Sequence, residues 1–150
     1  MKKHKLLNIS IIVMALLAFA FVQKTSITNI TGINFIEQDW DKALNTAKLQ
    51  KKLVFVDVYA TWCGPCKMLK RKAFADKKIA DFFNENFVNV SVDAEKGVGL
   101  QLANKYAVSA YPTLLFTDAS GNPVLYSVGY MNESELMAFA KAALKKTEKK

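Results

Sequence analysis

The sequence predicts an α/β protein, a three-layer α/β/α sandwich on a mixed central sheet. Three observations carry this. Segments of helical and of strand periodicity take turns from Ile36 to Tyr106. An apolar run from Leu53 to Tyr59, broken only by Asp57, has the composition of a strand covered on both faces. Near the C-terminus two short strands flank a turn-forming stretch, and a capped amphipathic helix follows.

The elements follow in chain order. From Ile36 to Leu49, the residues Ile36, Trp40, Ala43, Leu44 and Ala47 recur at helical spacing, and Asp39 and Asp41 suit the early turn of a helix. Leu53–Tyr59 is the buried strand. A helix opens at Cys63 and continues through Met68, Leu69 and Ala73. Asp76 caps a shorter helix in which Ile79, Phe82 and Phe83 share a face. Phe87 to Val92 alternates as a strand, with Phe87, Asn89 and Ser91 opposite Val88, Val90 and Val92. Val98 to Tyr106 is helical through Leu100, Leu102 and Ala103. Thr113–Thr117 and Pro123–Val128 are strands joined by Asp118-Ala119-Ser120-Gly121-Asn122. Asn132, with Glu135 three residues on, starts a last helix whose apolar face carries Leu136, Phe139, Ala140 and Ala143.

With 150 residues, 51% of them apolar, the chain can bury one core. There is no internal repeat, so one domain is expected over residues 33–146. The net charge of +8 sits largely at the ends, in Lys2, Lys3 and Lys5 and in Lys141, Lys145, Lys146, Lys149 and Lys150. No aromatic residues interleave with these lysines, which argues against nucleic-acid binding. Residues 1–20 read as an address. A basic start precedes an apolar stretch whose uninterrupted part, Ile11 to Val22, suits a signal peptide, and Ala18-Phe19-Ala20 is a small-x-small cleavage pattern. The alternative is an uncleaved N-terminal membrane anchor. Either form puts the rest of the chain in the periplasm or on the outer face of the cytoplasmic membrane. Residues 21–32 form a polar linker, and residues 147–150 a basic tail.

Both cysteines of the chain lie in one motif, Trp62-Cys63-Gly64-Pro65-Cys66. At the start of a helix this spacing has a chemical meaning. Unsatisfied N–H groups and the helix dipole favour a thiolate at Cys63. Pro65 fits the first turn, where no backbone N–H is needed. Cys66, one turn deeper, can reach back to Cys63, so Cys63 attacks and stays accessible while Cys66 resolves. Structural zinc would need four Cys or His ligands, and the single His, His4, precedes the apolar stretch, so no metal is expected. Covalent haem attachment needs His after the second Cys, where Lys67 stands. Asp57 is the other candidate. A carboxylate buried in an apolar strand has its pKa pushed up, which suits a proton acceptor for Cys66. Lys67, Lys70, Arg71 and Lys72 read as a solvated helix face.

Asp57 and Ala60-Thr61-Trp62-Cys63-Gly64-Pro65-Cys66-Lys67 resemble the active-site region of the thioredoxin family. Tyr111-Pro112-Thr113 resembles that family's cis-proline loop. Phe74-Ala75-Asp76 through Phe87, and then Val92-Asp93-Ala94-Glu95, are similar to the C-terminal thioredoxin-like domain of DsbD-type interchange proteins and to small secreted thioredoxin-like proteins. The resemblance implies a thioredoxin fold and dithiol–disulfide exchange with protein substrates, without a bound cofactor. It implies a redox-active Cys63–Cys66 disulfide. Pro112 would be cis, so that the backbone of Tyr111 pairs with substrate, and Trp62, Gly64 and Pro65 would face the substrate. Thioredoxins often pair the buried Asp with a Lys on the neighbouring strand; here alignment puts Asn89 in that place.

The expected function is reduction of disulfides in envelope or secreted proteins by a monomer fed by a membrane electron-donor protein. Two other classes stand beside it: an oxidase or isomerase of the same fold, and a non-catalytic binding module. Gly64-Pro65 gives the Cys63 thiolate nothing beyond the helix terminus, which favours the reductase.

Overall fold

The computed structural model describes residues 32–148. The expected signal peptide or anchor, most of the linker and the end of the basic tail lie outside them. Among the described residues, five strands form one sheet in the order β1-β3-β2-β4-β5: β1 Phe35–Glu37, β2 Leu53–Tyr59, β3 Phe87–Asp93, β4 Thr113–Thr117 and β5 Pro123–Val128. Strands β1, β3 and β2 run parallel, and β4 and β5 are antiparallel additions, so the sheet is mixed as expected. Five α-helices cover it: α1 Trp40–Gln50, α2 Gly64–Arg71, α3 Lys77–Asn86, α4 Gly97–Lys105 and α5 Glu133–Glu148. A short 3-10 turn, Ala73–Ala75, follows α2. No helix of the described residues is long and apolar enough to cross a membrane.

Local chemistry explains most boundaries. Asp39 caps α1 by accepting from the Lys42 amide, and Asp76 caps α3 through the Lys78 and Ile79 amides. Asn132 and Glu135 form a reciprocal box at the start of α5: each side chain accepts from the other's backbone N–H. In the β4–β5 turn the Asp118 carboxylate accepts from the amides of Ser120 and Asn122.

Two expectations change. Ile36 belongs to a strand rather than to the first helix. It pairs with Val90, and Gln38, in the left-handed region at φ 55°, separates β1 from α1. Three residues of strand carry too little periodicity to be seen without their partner. Leu100 is 49% exposed; the buried side of α4 is Gly99, Leu102 and Ala103. The alternation of β3 holds, with Phe87 in one core and Val88, Val90 and Val92 in the other, and all seven of its residues are buried between two strands and helices on both faces.

The pleat of β2 divides the core. Val54, Val56 and Val58 face one side with Trp40, Ala43, Ala47, Val90, Val92 and Leu115, under α1 and α4. Phe55 faces the other side with Leu69, Phe74, Phe83, Phe116 and Leu136, under α2, α3 and α5. Phe55 lies 4.8 Å from Phe83 and 5.1 Å from Phe116 between ring centroids. Truncating such a ring to Ala costs about 3–5 kcal/mol. Asp57 shares the face of Phe55, so the fold carries a carboxylate under the N-terminal turn of α2.

Candidate active site

The site is built where β2 gives way to α2. Strand β2 ends at Tyr59, the Cys63 N–H donates to the Ala60 carbonyl, and Cys63 caps α2 with extended backbone (φ −67°, ψ 112°). Its Sγ accepts the Cys66 amide at 3.1 Å, one of the N–H groups that the first turn would otherwise leave unpaired. Pro65 occupies the first turn, where it costs no hydrogen bond. Cys63 and Cys66 form a disulfide with Cα atoms 5.3 Å apart.

The two sulfurs differ in surroundings, though not as expected in exposure. Cys63 is 3% exposed and Cys66 7% exposed, so the anticipated accessible Cys63 is covered in the disulfide form. Ala60 packs with the pair, and Tyr59 and Tyr111 lie against it. The difference lies in what each cysteine faces: Cys63 takes the helix N–H, and Cys66 lines a cavity that opens to the surface beside Thr61, Lys67 and Lys70.

That cavity, of about 240 Å3, is lined by Asp57, Tyr59, Ala60, Thr61, Cys66, Lys67, Lys70 and Ser91. Asp57 is 7% exposed. Ser91 Oγ donates to Asp57 Oδ2 at 3.0 Å, and Asp57 Oδ1 has no hydrogen-bond partner in the protein. Burial pushes the Asp57 carboxyl up from 3.8 to about 7. The Ser91 hydrogen bond opposes this shift, the negative charge of Glu37 adds to it, and the positive charge of Lys70 opposes it. The Tyr59 hydroxyl, which accepts from Gln38 Nε2, is also raised by burial.

Asn89 does not stand beside Asp57. In the β2–β3 register Asp57 pairs with Ser91, and Asn89 pairs with Phe55. Two residues along a strand return to the same face about 7 Å away. Asn89 instead donates to the Asn34 carbonyl and to Asn84 Oδ1, beside a separate cavity of about 170 Å3.

The remaining predicted residues differ in exposure and in partners. Trp62 is 65% exposed and meets the Tyr111 ring edge-on at 5.9 Å between centroids. The Tyr111–Pro112 peptide bond is cis, Pro112 is buried, and the Pro112 carbonyl accepts from the Gly129 amide. Gly64 is exposed, and a Cβ there would meet nothing within 4 Å, so its glycine answers to no steric demand of this structure. Sequence reasoning gave Glu95 no role. Its Oε1 accepts from Trp62 Nε1 at 2.8 Å and orients the indole across 33 residues of sequence, a separation at which no spacing signal exists. Lys67 and Lys70 are exposed as expected for a helix face, yet both line the cavity that holds Asp57.

A buried, helix-capping disulfide beside a carboxyl of raised pKa is equipped for thiol–disulfide exchange coupled to proton transfer. A family model described as a thioredoxin-like domain matches residues 40–144. The thiol:disulfide interchange protein DsbD of Tatumella citrea is 35% identical over 95 residues, covering 61% of this chain and 16% of that protein. DsbD of Pseudoalteromonas atlantica is 32% identical over 110 residues, 71% of this chain and 18% of that protein. The chain thus spans less than a fifth of the length of these relatives. Among solved structures, a Bacteroides thetaiotaomicron protein described as a candidate disulphide-isomerase is 46% identical with a TM-score of 0.69, over 77% of this chain and 95% of that one. A Thermus thermophilus thioredoxin, at 21% identity and TM-score 0.66 over 76% and 91% of the two chains, shares the fold.

Proposed function

The chain belongs to the thioredoxin-like domain family, a family of thiol–disulfide oxidoreductases, and on that premise we propose that it reduces disulfides of exported proteins through Cys63 and Cys66. The observation that carries this reading is the disulfide at the N-terminus of α2, with Cys66 and Asp57 on one cavity.

In the dithiol form, the helix terminus stabilises the Cys63 thiolate. This thiolate attacks a substrate disulfide; a bond forms between Cys63 Sγ and one substrate sulfur, and the other substrate sulfur leaves with the electron pair and takes a proton from solvent. Asp57, as carboxylate, then accepts the Cys66 thiol proton. The Cys66 thiolate attacks Cys63 Sγ, the Cys63–Cys66 bond forms, and the mixed disulfide breaks. The second substrate sulfur departs as thiolate and is protonated by solvent. Two electrons have moved from the dithiol to the substrate, which ends as two thiols. Trp62, Gly64, Pro65 and the Tyr111–Pro112 backbone form the substrate-facing rim, with Glu95 fixing the indole. The basic start and apolar stretch of residues 1–20 support export, and resupply of electrons outside the membrane then requires a membrane electron-donor protein.

The test is the potential, taken by equilibration with a dithiothreitol or glutathione buffer, together with turnover in insulin reduction. With only Gly64-Pro65 between the cysteines, the value should lie near that of thioredoxin, about −270 mV, and far from the oxidant DsbA at about −120 mV. A potential above about −180 mV would replace this reading with an oxidase or with an isomerase, the latter being the word in the description of the Bacteroides thetaiotaomicron neighbour. Absence of turnover would leave a docking module.

A further inference from the structure

Asp57 lies in a row of residues that crosses the sheet. Glu37 on β1 pairs with Ser91 on β3, Ser91 pairs with Asp57 on β2, and Asp57 pairs with Leu114 on β4. Paired positions share a face, and neighbouring strands lie about 4.8 Å apart. The row therefore presents two carboxylates, a hydroxyl and an apolar side chain on the face toward α2. It holds no cation. The other titratable neighbours on the sheet are the Tyr59 hydroxyl, at the end of β2, and Asp93, at the end of β3. Neither can supply a positive charge to Asp57.

The helix packed over this row is different. Helix α2 carries Lys67, Lys70 and Arg71 and no acidic residue. Lys70 follows Cys66 by four residues, one helical turn, so the two share a helix face. Cys66 and Lys70 line the same cavity as Asp57. Among the described residues the ion pairs are Lys77–Asp81 and Lys96–Asp93, so Lys70 is not drawn away by another carboxylate and acts on Asp57 from beyond ion-pair distance. Lys67 lines the cavity too, one residue past Cys66 and so turned from its face by about 100°.

We propose that Lys70 is a positioning residue for the exchange reaction: from α2 it supplies the positive charge that keeps Asp57 a carboxylate opposite Cys66, a charge that no residue of the sheet provides. The proposal deepens the role given to Asp57 above and rests on it. At the moment when the Cys66 thiol must lose its proton, a protonated Asp57 cannot accept it. Removing the Lys70 charge leaves Glu37 unopposed across the row, so a larger fraction of Asp57 is protonated at neutral pH. Resolution of the mixed disulfide then slows until the pH is raised.

The experiment uses Lys70→Gln, Lys70→Glu and Lys70→Arg. Asp57 is titrated in the oxidised protein through its 13C carboxyl resonance, and single-turnover reduction of insulin by the dithiol form is followed against pH. Lys70→Gln should move the Asp57 midpoint up by about half a unit and Lys70→Glu by about a unit, with Lys70→Arg unchanged. At neutral pH the resolving rate should fall about twofold and about fivefold in the first two, as the carboxylate fraction falls from about a half, and recover at alkaline pH to the parent limit. In an Asp57→Asn background, Lys70→Glu should move the profile no further. Midpoints equal within about 0.2 unit in all four proteins overturn the proposal, whatever the enzyme reduces. Midpoints that shift as expected, in a protein that reduces no insulin, keep Lys70 in this role and overturn the reductase reading instead.

Discussion

Replacing Asp57 by Asn tests the site through stability as well as through rate. Asp57 is buried, and its carboxyl stands at about 7 in the folded protein against an ordinary value of 3.8. Between those values the folded state holds a proton that the unfolded chain has released. Stability therefore falls as pH rises through this window. The penalty is absent below about pH 4 and fully present above about pH 7. A shift of about three units at 1.36 kcal/mol each amounts to about 4 kcal/mol. Asn removes the titration; its oxygen can still accept from Ser91, but its NH2 group is left buried beside the cavity at a cost of about 1–3 kcal/mol. The oxidised Asp57→Asn protein should thus be about 1–3 kcal/mol more stable than the parent at pH 8 and less stable by a similar amount at pH 4. Guanidinium denaturation of both oxidised proteins from pH 4 to 8 reads the difference, in which other titrating groups cancel. The same variant should resolve mixed disulfides more slowly near neutral pH. A stability difference that stays flat across this range would show that Asp57 ionises normally in the folded protein, and the proton-acceptor argument would fall with it.

Other outcomes follow from the same site. Cys63→Ser should abolish turnover, whereas Cys66→Ser should accumulate mixed disulfides with its substrates; faster alkylation of Cys66 than of Cys63 in the dithiol form would reverse the two roles. If residues 1–20 are removed on export, intact mass should place the mature N-terminus at Phe21 and the protein should fractionate with soluble envelope proteins. Retention of residues 1–20 in a membrane fraction would instead establish the anchor.

Features that depend on a few neighbouring residues could be read along the chain. The bounds of β2, β4 and β5 follow from apolar runs set between turn formers, and the starts of α1, α3 and α5 from Asp39, Asp76 and the Asn132–Glu135 pair. The layout of the candidate site was legible for the same reason: Cys63, Pro65 and Cys66 lie within a single helical turn, and a lone Asp in an apolar strand announces a buried carboxyl. Features that depend on register and on the approach of distant elements emerged from the folded chain. Strand β1 exists because Ile36 meets Val90. Ser91 rather than Asn89 stands beside Asp57 because parallel pairing fixes the two strands in one register, and a shift of two residues moves a side chain by about 7 Å without changing its face. Glu95 reaches Trp62, and Lys70 overlooks Asp57, across separations of 33 and 13 residues at which the chain carries no periodic signal. Capping and periodicity are local energies and can be read along the chain. Hydrogen-bonded register and the electrostatics of a cavity arise between segments, and packing sets them.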